Sequence, residues 1–255
     1  MAWIEGVRGL LLDVDGTLLQ GEDPIPGAAE AVERLRRAGY PFRLTTNTTR
    51  RPRRAVAEAL AKSGIPVREH EVIAPSVLAR RRILESGRPR AALLVPEASR
   101  VDFEGVVVDD ERPDWVVVGD LGSAFTWETV NRAFSQLRAG AALLALHKNR
   151  FWFAGHRGVL IDAGAFVAGL EYAAGIEAEV VGKPSRPFFE LSLAELGLTA
   201  REVLVVGDDP ANDCVGGAAA GCRTALVRTG KWSEEEMARS GARPDLLLAS
   251  VADLP

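Results

Sequence analysis

The sequence predicts an α/β protein, a parallel sheet flanked by helices with a second α/β module inserted into it. Three observations carry that expectation. Short apolar runs of strand length alternate with amphipathic segments along the chain. Proline and glycine fall between them at helix-length spacing, proline before a helical segment and glycine after it. The stretch from about residue 78 to residue 179 also differs in texture from the two ends. It carries an Arg-rich helical segment, strand-like DWVVVGD and AALLALH, and the aromatic run RFWF. The expected division is therefore 1–77 for the first part of a core domain, 78–179 for the insert and 180–255 for the second part of the core.

In chain order, strands are expected at GLLLDV, FRLTT, AALLV, WVVVG, ALLAL, AEVVG, VLVVG, TALV and DLLL. Pro26 stands where a first helical turn would begin and Gly39 where that helix would stop; Pro52 and Gly64 bracket the next. Thr199 with Glu202, and Ser233 with Glu236, have the spacing of a capping box, although VLVV follows Thr199 too soon for a full helix.

With 255 residues, 47% of them hydrophobic and 26% charged, the chain has the composition of a folded globular protein. A net charge of -4 supplies no global field to gather nucleic acid or an anionic membrane. Cys214 and Cys222 alone make neither a disulfide framework nor a metal-ligand spacing with the histidines, which suits a reducing compartment. The start MAWIEGVRG has no basic leader, and no apolar run reaches the roughly 18 residues of a membrane helix. The expectation is a cytoplasmic protein with neither nucleic acid nor membrane as partner.

Four strand ends carry the chemistry. In LLLDVDGTLL, residues 10–19, Asp13 and Asp15 are two apart on an extended segment, so both face one side while Val14 faces the other. Ligands of open α/β sheets bind at such carboxyl ends. Two carboxylates this close need a cation, or one of them keeps a proton, which suits a nucleophile beside a general acid and base. Gly16 lets the turn close over a ligand. Taken alone, Asp-Gly is also a common solvated turn.

In LTTNTTR, residues 44–50, Thr46 and Asn47 precede a helix start and suit a phosphate oxygen, although both residue types also cap helices. In VVGKPSRPFF, residues 180–189, Lys183 follows a strand directly in a chain with only four lysines. A compact ammonium there can touch a carboxylate and a phosphoryl oxygen together, where a guanidinium fits less well, or it is simply a solvated loop lysine. After VLVVG, Asp208, Asp209 and Asp213 would repel one another without a cation, and hard oxygen ligands near phosphate favour Mg²⁺. One of these three carboxylates is expected to cap the following helix, whose small residues 216–220 can pack closely on the sheet. Together the four strand ends supply what phosphoryl transfer requires.

As a set these motifs resemble the haloacid dehalogenase-like hydrolase superfamily: DVDGT at 13–17, Thr46 with Asn47, Lys183 in GKP, and GDDPAND at 207–213. The insert between the second motif and the lysine looks like that family's class II cap. Stretches such as DVDGTLLQGEDPIPGA and LEYAAGIEAEVVGKP resemble its phospholysine phosphohistidine inorganic pyrophosphate phosphatase subgroup over nearly the whole chain. The resemblance implies a Rossmann-like core with an inserted cap. It also implies a Mg²⁺-dependent phosphatase acting on a small phosphorylated metabolite, phosphoamidate or pyrophosphate, with the option of a homodimer through the cap. By it Asp13 is the nucleophile, and Asp15 the acid and base. Thr46 and the Asn47 backbone hold the phosphoryl group, and Lys183 balances charge. The metal falls to Asp13, the Asp15 carbonyl and Asp208, with Asp213 in the outer shell. Asn212 stands where the family often has Thr, which leaves the wiring of Asp213 open.

Residues 147–153, HKNRFWF, and 162–166, DAGAF, are candidates for facing the leaving group, against the ordinary use of aromatics in packing. The basic run RRPRR from Arg50 reads better as a solvated helix face than as an anion trap. Two other functions fit the same motifs: a phosphotransferase or mutase on the same core, and a non-catalytic phosphate-binding module.

Overall fold

The computed structural model describes residues 5–21, 23–153 and 158–254. The chain divides into two compact units. The first comprises Met1–Thr46, Arg53–Ile73 and Lys183–Pro255; the second comprises Asn47–Pro52 and Ala74–Gly182.

Among the described residues, the first unit is built on a six-stranded sheet whose strands are all parallel. Across it run Leu246–Leu248, Arg223–Val227, Val203–Gly207, Gly9–Asp13, Phe42–Thr45 and Val72–Ile73. Gly9–Asp13 is buried at every position, as a central strand covered on both faces must be. Its period of two sorts the side chains. Leu10, Leu12 and Val14 join a cluster with Ala28, Ala31, Val32 and Leu35, and with Val56 and Leu60. Leu11 points the other way, against Phe189, Val203 and Val205. Asp13 has the parity of Leu11, so the strand's alternation decides which face receives the carboxylate.

The helices follow from the same patterning. Ala28, Ala31, Val32 and Leu35 make the buried stripe of the helix Ala28–Arg37, with Glu30 in its first turn and Arg34, Arg36 and Arg37 in its last to complement the dipole. Gly27, with φ 80°, occupies the N-cap, so Pro26 lies outside the helix instead of in its first turn. Gly39 takes φ 76° beyond the helix end, as expected of a stop. Arg53–Lys62 follows Pro52 directly and precedes Gly64, whose φ is 78°. On the opposite face, Arg186–Leu196 buries Phe188 and Phe189 and ends at Gly197 in the left-handed region. The capping box of Thr199 and Glu202 is present but closes only the three-residue turn Ala200–Glu202. Ser233 caps Glu234–Ser240 through the Glu236 amide.

The second unit carries a parallel sheet in the order Glu179–Val180, Ala142–Ala145, Trp115–Val118, Arg90–Leu94, Val107–Val108. Helices Trp127–Arg138 and Ala163–Ala174 close a core of Val116, Val118, Ala133, Leu137, Ala145, Val167 and Leu170. Phe151–Phe153 pairs with Val159–Ile161 as a separate antiparallel ribbon, so the aromatic FWF is strand. No helix among the described residues is long and apolar enough to cross a membrane.

Phe189 is fully buried where Arg186–Leu196 meets the sheet. Phe189→Ala should cost about 3–5 kcal/mol of stability in urea denaturation.

Candidate active site

The chain leaves Gly9–Asp13 toward Phe42–Thr45 on one side, and Val203–Gly207 pairs on the other. The strand order therefore reverses between Gly9–Asp13 and Val203–Gly207, the first and fourth strands of the sheet in chain order, where open α/β sheets form a crevice at their carboxyl ends. Asp13 ends one of these strands and Asp208 follows the other.

There the unit brings together groups that are far apart in sequence. The Lys183 ammonium donates to Asp13 Oδ1 and to Asp213 Oδ1, each at 2.6 Å. Asp13, Lys183, Asp208 and Asp213 are only 5%, 2%, 2% and 1% exposed, so the array is buried. Oxygens of Asp13, Asp208 and Asp213 lie within 4.8 Å of one another. Thr46 Oγ1 donates to Asp15 Oδ2 at 3.1 Å, and Asp15 itself is exposed. Asn47 begins the segment assigned to the second unit, where its amide nitrogen faces Asn149 Oδ1 at 3.4 Å.

Local sequence explains the placement. Asp213 sits in a wide π-helical turn, Pro210–Val215, after the strand Val203–Gly207. A Cβ on Gly207 would lie 2.2 Å from the Asp213 carboxyl carbon, so glycine is required for that side chain to lie over the strand end. Gly216 does the same for the lysine turn, since a Cβ there would meet Pro184 Cβ at 2.7 Å. The expected capping carboxylate is Asp209, which accepts from the amides of Ala211 and Asn212 and from the Asn212 side chain. Asn212 thereby holds Asp209, while Asp213 Oδ2 accepts from the Asp209 amide at 3.1 Å.

Two groups escaped the sequence reading. Thr17 Oγ1 donates to Asp13 Oδ2 at 3.2 Å from a fully buried position. The turn at Thr229, Gly230 and Lys231 also reaches the site, with the Lys231 amide donating to Asp208 Oδ2 at 2.6 Å. A visible signal was the TGK after the apolar TALV, which repeats the strand-then-GK pattern of Lys183.

The second unit gives its candidate residues structural partners. His147 is buried beside Thr49 Oγ1 at 3.4 Å and Asp162 at 3.8 Å. Asp162 caps Ala163–Ala174, and Phe166 stacks on Phe125 at 3.8 Å. Of the basic run, Arg50 pairs with Asp120 and covers the Trp152 ring, whereas Arg54 is exposed and pairs with Glu58 one turn on.

Burial and mutual repulsion set the electrostatics. Burial pushes the Asp208 carboxyl well above its ordinary range, and Asp13 and Asp213 push it further. Burial also raises Asp13, against the opposing pull of Lys183. Asp213 rises to about 7, burial again outweighing Lys183. Burial disfavours the Lys183 ammonium, yet the charges of Asp13 and Asp213 more than compensate and hold it protonated. Three buried carboxylates thus crowd around the Lys183 ammonium, with Lys231 giving them only more distant relief, and a cation would relieve the crowding further. The donors are hard carboxylate oxygens from three side chains gathered within 4.8 Å of one another, the ligand type that Mg²⁺ takes. The residues present therefore fit Mg²⁺.

These shifts fix a pH dependence. In metal-free protein, native Asp213 holds its proton up to about 7 while the unfolded chain releases it near the ordinary 3.8, so stability falls as pH rises across that window. Denaturation curves recorded in chelator should show this slope, and Asp213→Asn should reduce it, with the raised Asp208 and Asp13 supplying what remains.

Comparison with known proteins gives the geometry a lineage. Residues 10–106 match a family described as haloacid dehalogenase-like hydrolase, and residues 180–254 one described as HAD-hydrolase-like. Phospholysine phosphohistidine inorganic pyrophosphate phosphatase of Rattus norvegicus is 37% identical, over 99% of this chain and 95% of its own length. Haloacid dehalogenase-like hydrolase domain-containing protein 2 of Bos taurus is 35% identical, over 98% of this chain and 95% of its own. The crystal structure of 4-nitrophenylphosphatase from Thermotoga maritima superposes with a TM-score of 0.90 at 27% identity, covering 98% of this chain and 96% of that one. With a parallel sheet that gathers acids and a lysine at its strand ends, and with relatives of this identity along its whole length, the chain belongs to the haloacid dehalogenase-like hydrolases and is a phosphatase of that family.

Proposed function

We propose that this enzyme hydrolyses a small phosphorylated metabolite, a phosphoamidate or pyrophosphate, with Mg²⁺ and through an aspartyl-phosphate on Asp13. The observation that carries the reading is the buried cluster itself, with Lys183 clamping Asp13 and Asp213 while Asp208 faces them. The rat relative is named for phospholysine, phosphohistidine and inorganic pyrophosphate, which supports substrates with a P–N or P–O–P bond beside phosphate esters.

Lys183 fixes one oxygen of Asp13 and Thr17 the other, so the nucleophile is oriented before substrate arrives. A carboxylate oxygen of Asp13 attacks phosphorus as the bond to the leaving group breaks, and Asp15 gives that group its proton. Asp15 is suited to the task by its exposure, which lets it exchange protons with solvent, and by the Thr46 hydroxyl that aims it. In the second half Asp15 takes a proton from water, the water oxygen bonds to phosphorus, and the acyl-phosphate bond breaks to release phosphate and Asp13. Thr46 and the Asn47 backbone are assigned the phosphoryl oxygens. Bound Mg²⁺, held by Asp13, the Asp15 carbonyl and Asp208, with Asp213 outside, would neutralise the negative charge of the phosphoryl group.

Three measurements test the proposal. Asp13→Asn should abolish phosphate release while the melting curve stays cooperative, and hydrolysis near the parent rate would end the assignment. Asp15→Asn should slow turnover by about 10²–10⁴-fold, the usual contribution of a general acid and base. Phosphate release from a panel of phosphomonoesters, phosphoamidates and pyrophosphate, with acceptor alcohols present, separates hydrolysis from transfer.

A further inference from the structure

The turn Thr229, Gly230 and Lys231 lies at the end of Arg223–Val227, the strand beside Val203–Gly207 in the first unit. Three contacts bind it to two separate parts of the site. Its Lys231 amide donates to Asp208 Oδ2 at 2.6 Å. The Thr229 hydroxyl donates to the Gly16 carbonyl at 2.5 Å, within the loop that follows Asp13 and carries Asp15. The Lys231 ammonium reaches Asp209 Oδ2 at 3.2 Å.

Sterics sharpen the picture. Gly16 has φ 91° and Gly230 φ 56°, both in the left-handed region. A Cβ on Gly230 would fall 1.9 Å from Asp208 Oδ2 and 2.7 Å from the Gly16 Cα; a Cβ on Gly16 would fall 2.1 Å from the same Asp208 oxygen. Two bare backbones therefore flank one carboxylate oxygen, and an amide points at it. This leaves Asp208 little rotational freedom, and the Gly16 loop is tied to the same turn. A carboxylate held in this way by a neighbouring backbone is what an outer shell supplies to a metal ligand.

We propose that the Thr229, Gly230 and Lys231 turn is a positioning element that sets the affinity of the site for its divalent cation. The Lys231 amide and Gly230 backbone fix the Asp208 carboxylate, and the Thr229 hydroxyl locks the turn to the Gly16 loop. None of these residues touches the reacting atoms, so their effect passes through Asp208. The inference rests on the reading of Asp208 as a Mg²⁺ ligand.

The test is calorimetric titration of the full-length protein with Mg²⁺ alone, with melting temperature in chelator as a control for folding. Thr229→Val and Gly230→Ala should weaken Mg²⁺ binding by at least about tenfold. Thr229→Ser, which keeps the hydroxyl, should return the affinity close to the parent value. At saturating Mg²⁺, Thr229→Val should recover most of its kcat, whereas a variant of simply damaged structure would not. Parent-like Mg²⁺ affinity in both Thr229→Val and Gly230→Ala overturns the proposal, whatever their melting temperatures, and leaves the proposed reaction standing. If Gly230→Ala does not fold, Thr229→Val decides alone. If the parent protein itself takes up no Mg²⁺, the assignment of Asp208 fails, and this inference with it.

Discussion

The buried ammonium of Lys183, held between Asp13 and Asp213, is the constraint on which the rest of the first unit turns. Each carboxylate alone would be costly to bury as an ion, and so would the lysine; together they are tolerable because every charge has a partner at hydrogen-bonding distance. The residue before Lys183 closes the second unit, so one position marks both a chain crossing and the centre of the charge cluster. The fold serves this contact from both directions. The sheet delivers Asp13 at the end of a fully buried strand, and Arg186–Leu196, docked through Phe189, holds the lysine turn above it.

Close approach is secured by what is absent. Gly207 lets Asp213 lie against a strand end, and Gly216 lets the lysine turn descend onto the helix that follows. In each case a methyl group would overlap a functional side chain or its neighbour, so glycine acts here through volume more than flexibility. The apolar side of the sheet, with Leu10, Leu12 and Val14 among full-sized aliphatics, has no such need.

Much of this was legible in the sequence. Alternation in LLLDV gave the strand and, through parity, the face on which Asp13 projects. The apolar runs ending in DVDGT, TTN, GKP and GDDPAND located the strand ends, since a polar group directly after a buried strand has few other reasons to be there. What escaped did so for physical reasons. Val72–Ile73 and Val107–Val108 are two-residue edge strands, too short to show any period. Phe151–Phe153 is read as strand only once Val159–Ile161 is seen beside it, a pairing that no local pattern encodes. Thr17 resembles any threonine in a turn, and its role follows from a hydrogen bond fixed by the tertiary fold. The TGK after TALV marks the turn, but Lys231 acts on Asp208 through its backbone amide, which every residue but proline possesses, so the pattern does not disclose that contact.

The chain passes between its two units four times, after Thr46, Pro52, Ile73 and Gly182. The short excursion, residues 47–52, is anchored by Thr49, whose hydroxyl accepts from the Asp120 amide and whose carbonyl accepts from Ser99. The insertion is thus not one cassette but two, a long one and a hexapeptide that depends on it. A graft exchanging residues 74–182 for those of a relative would strand the hexapeptide among foreign contacts, so any workable chimera has to carry both pieces together.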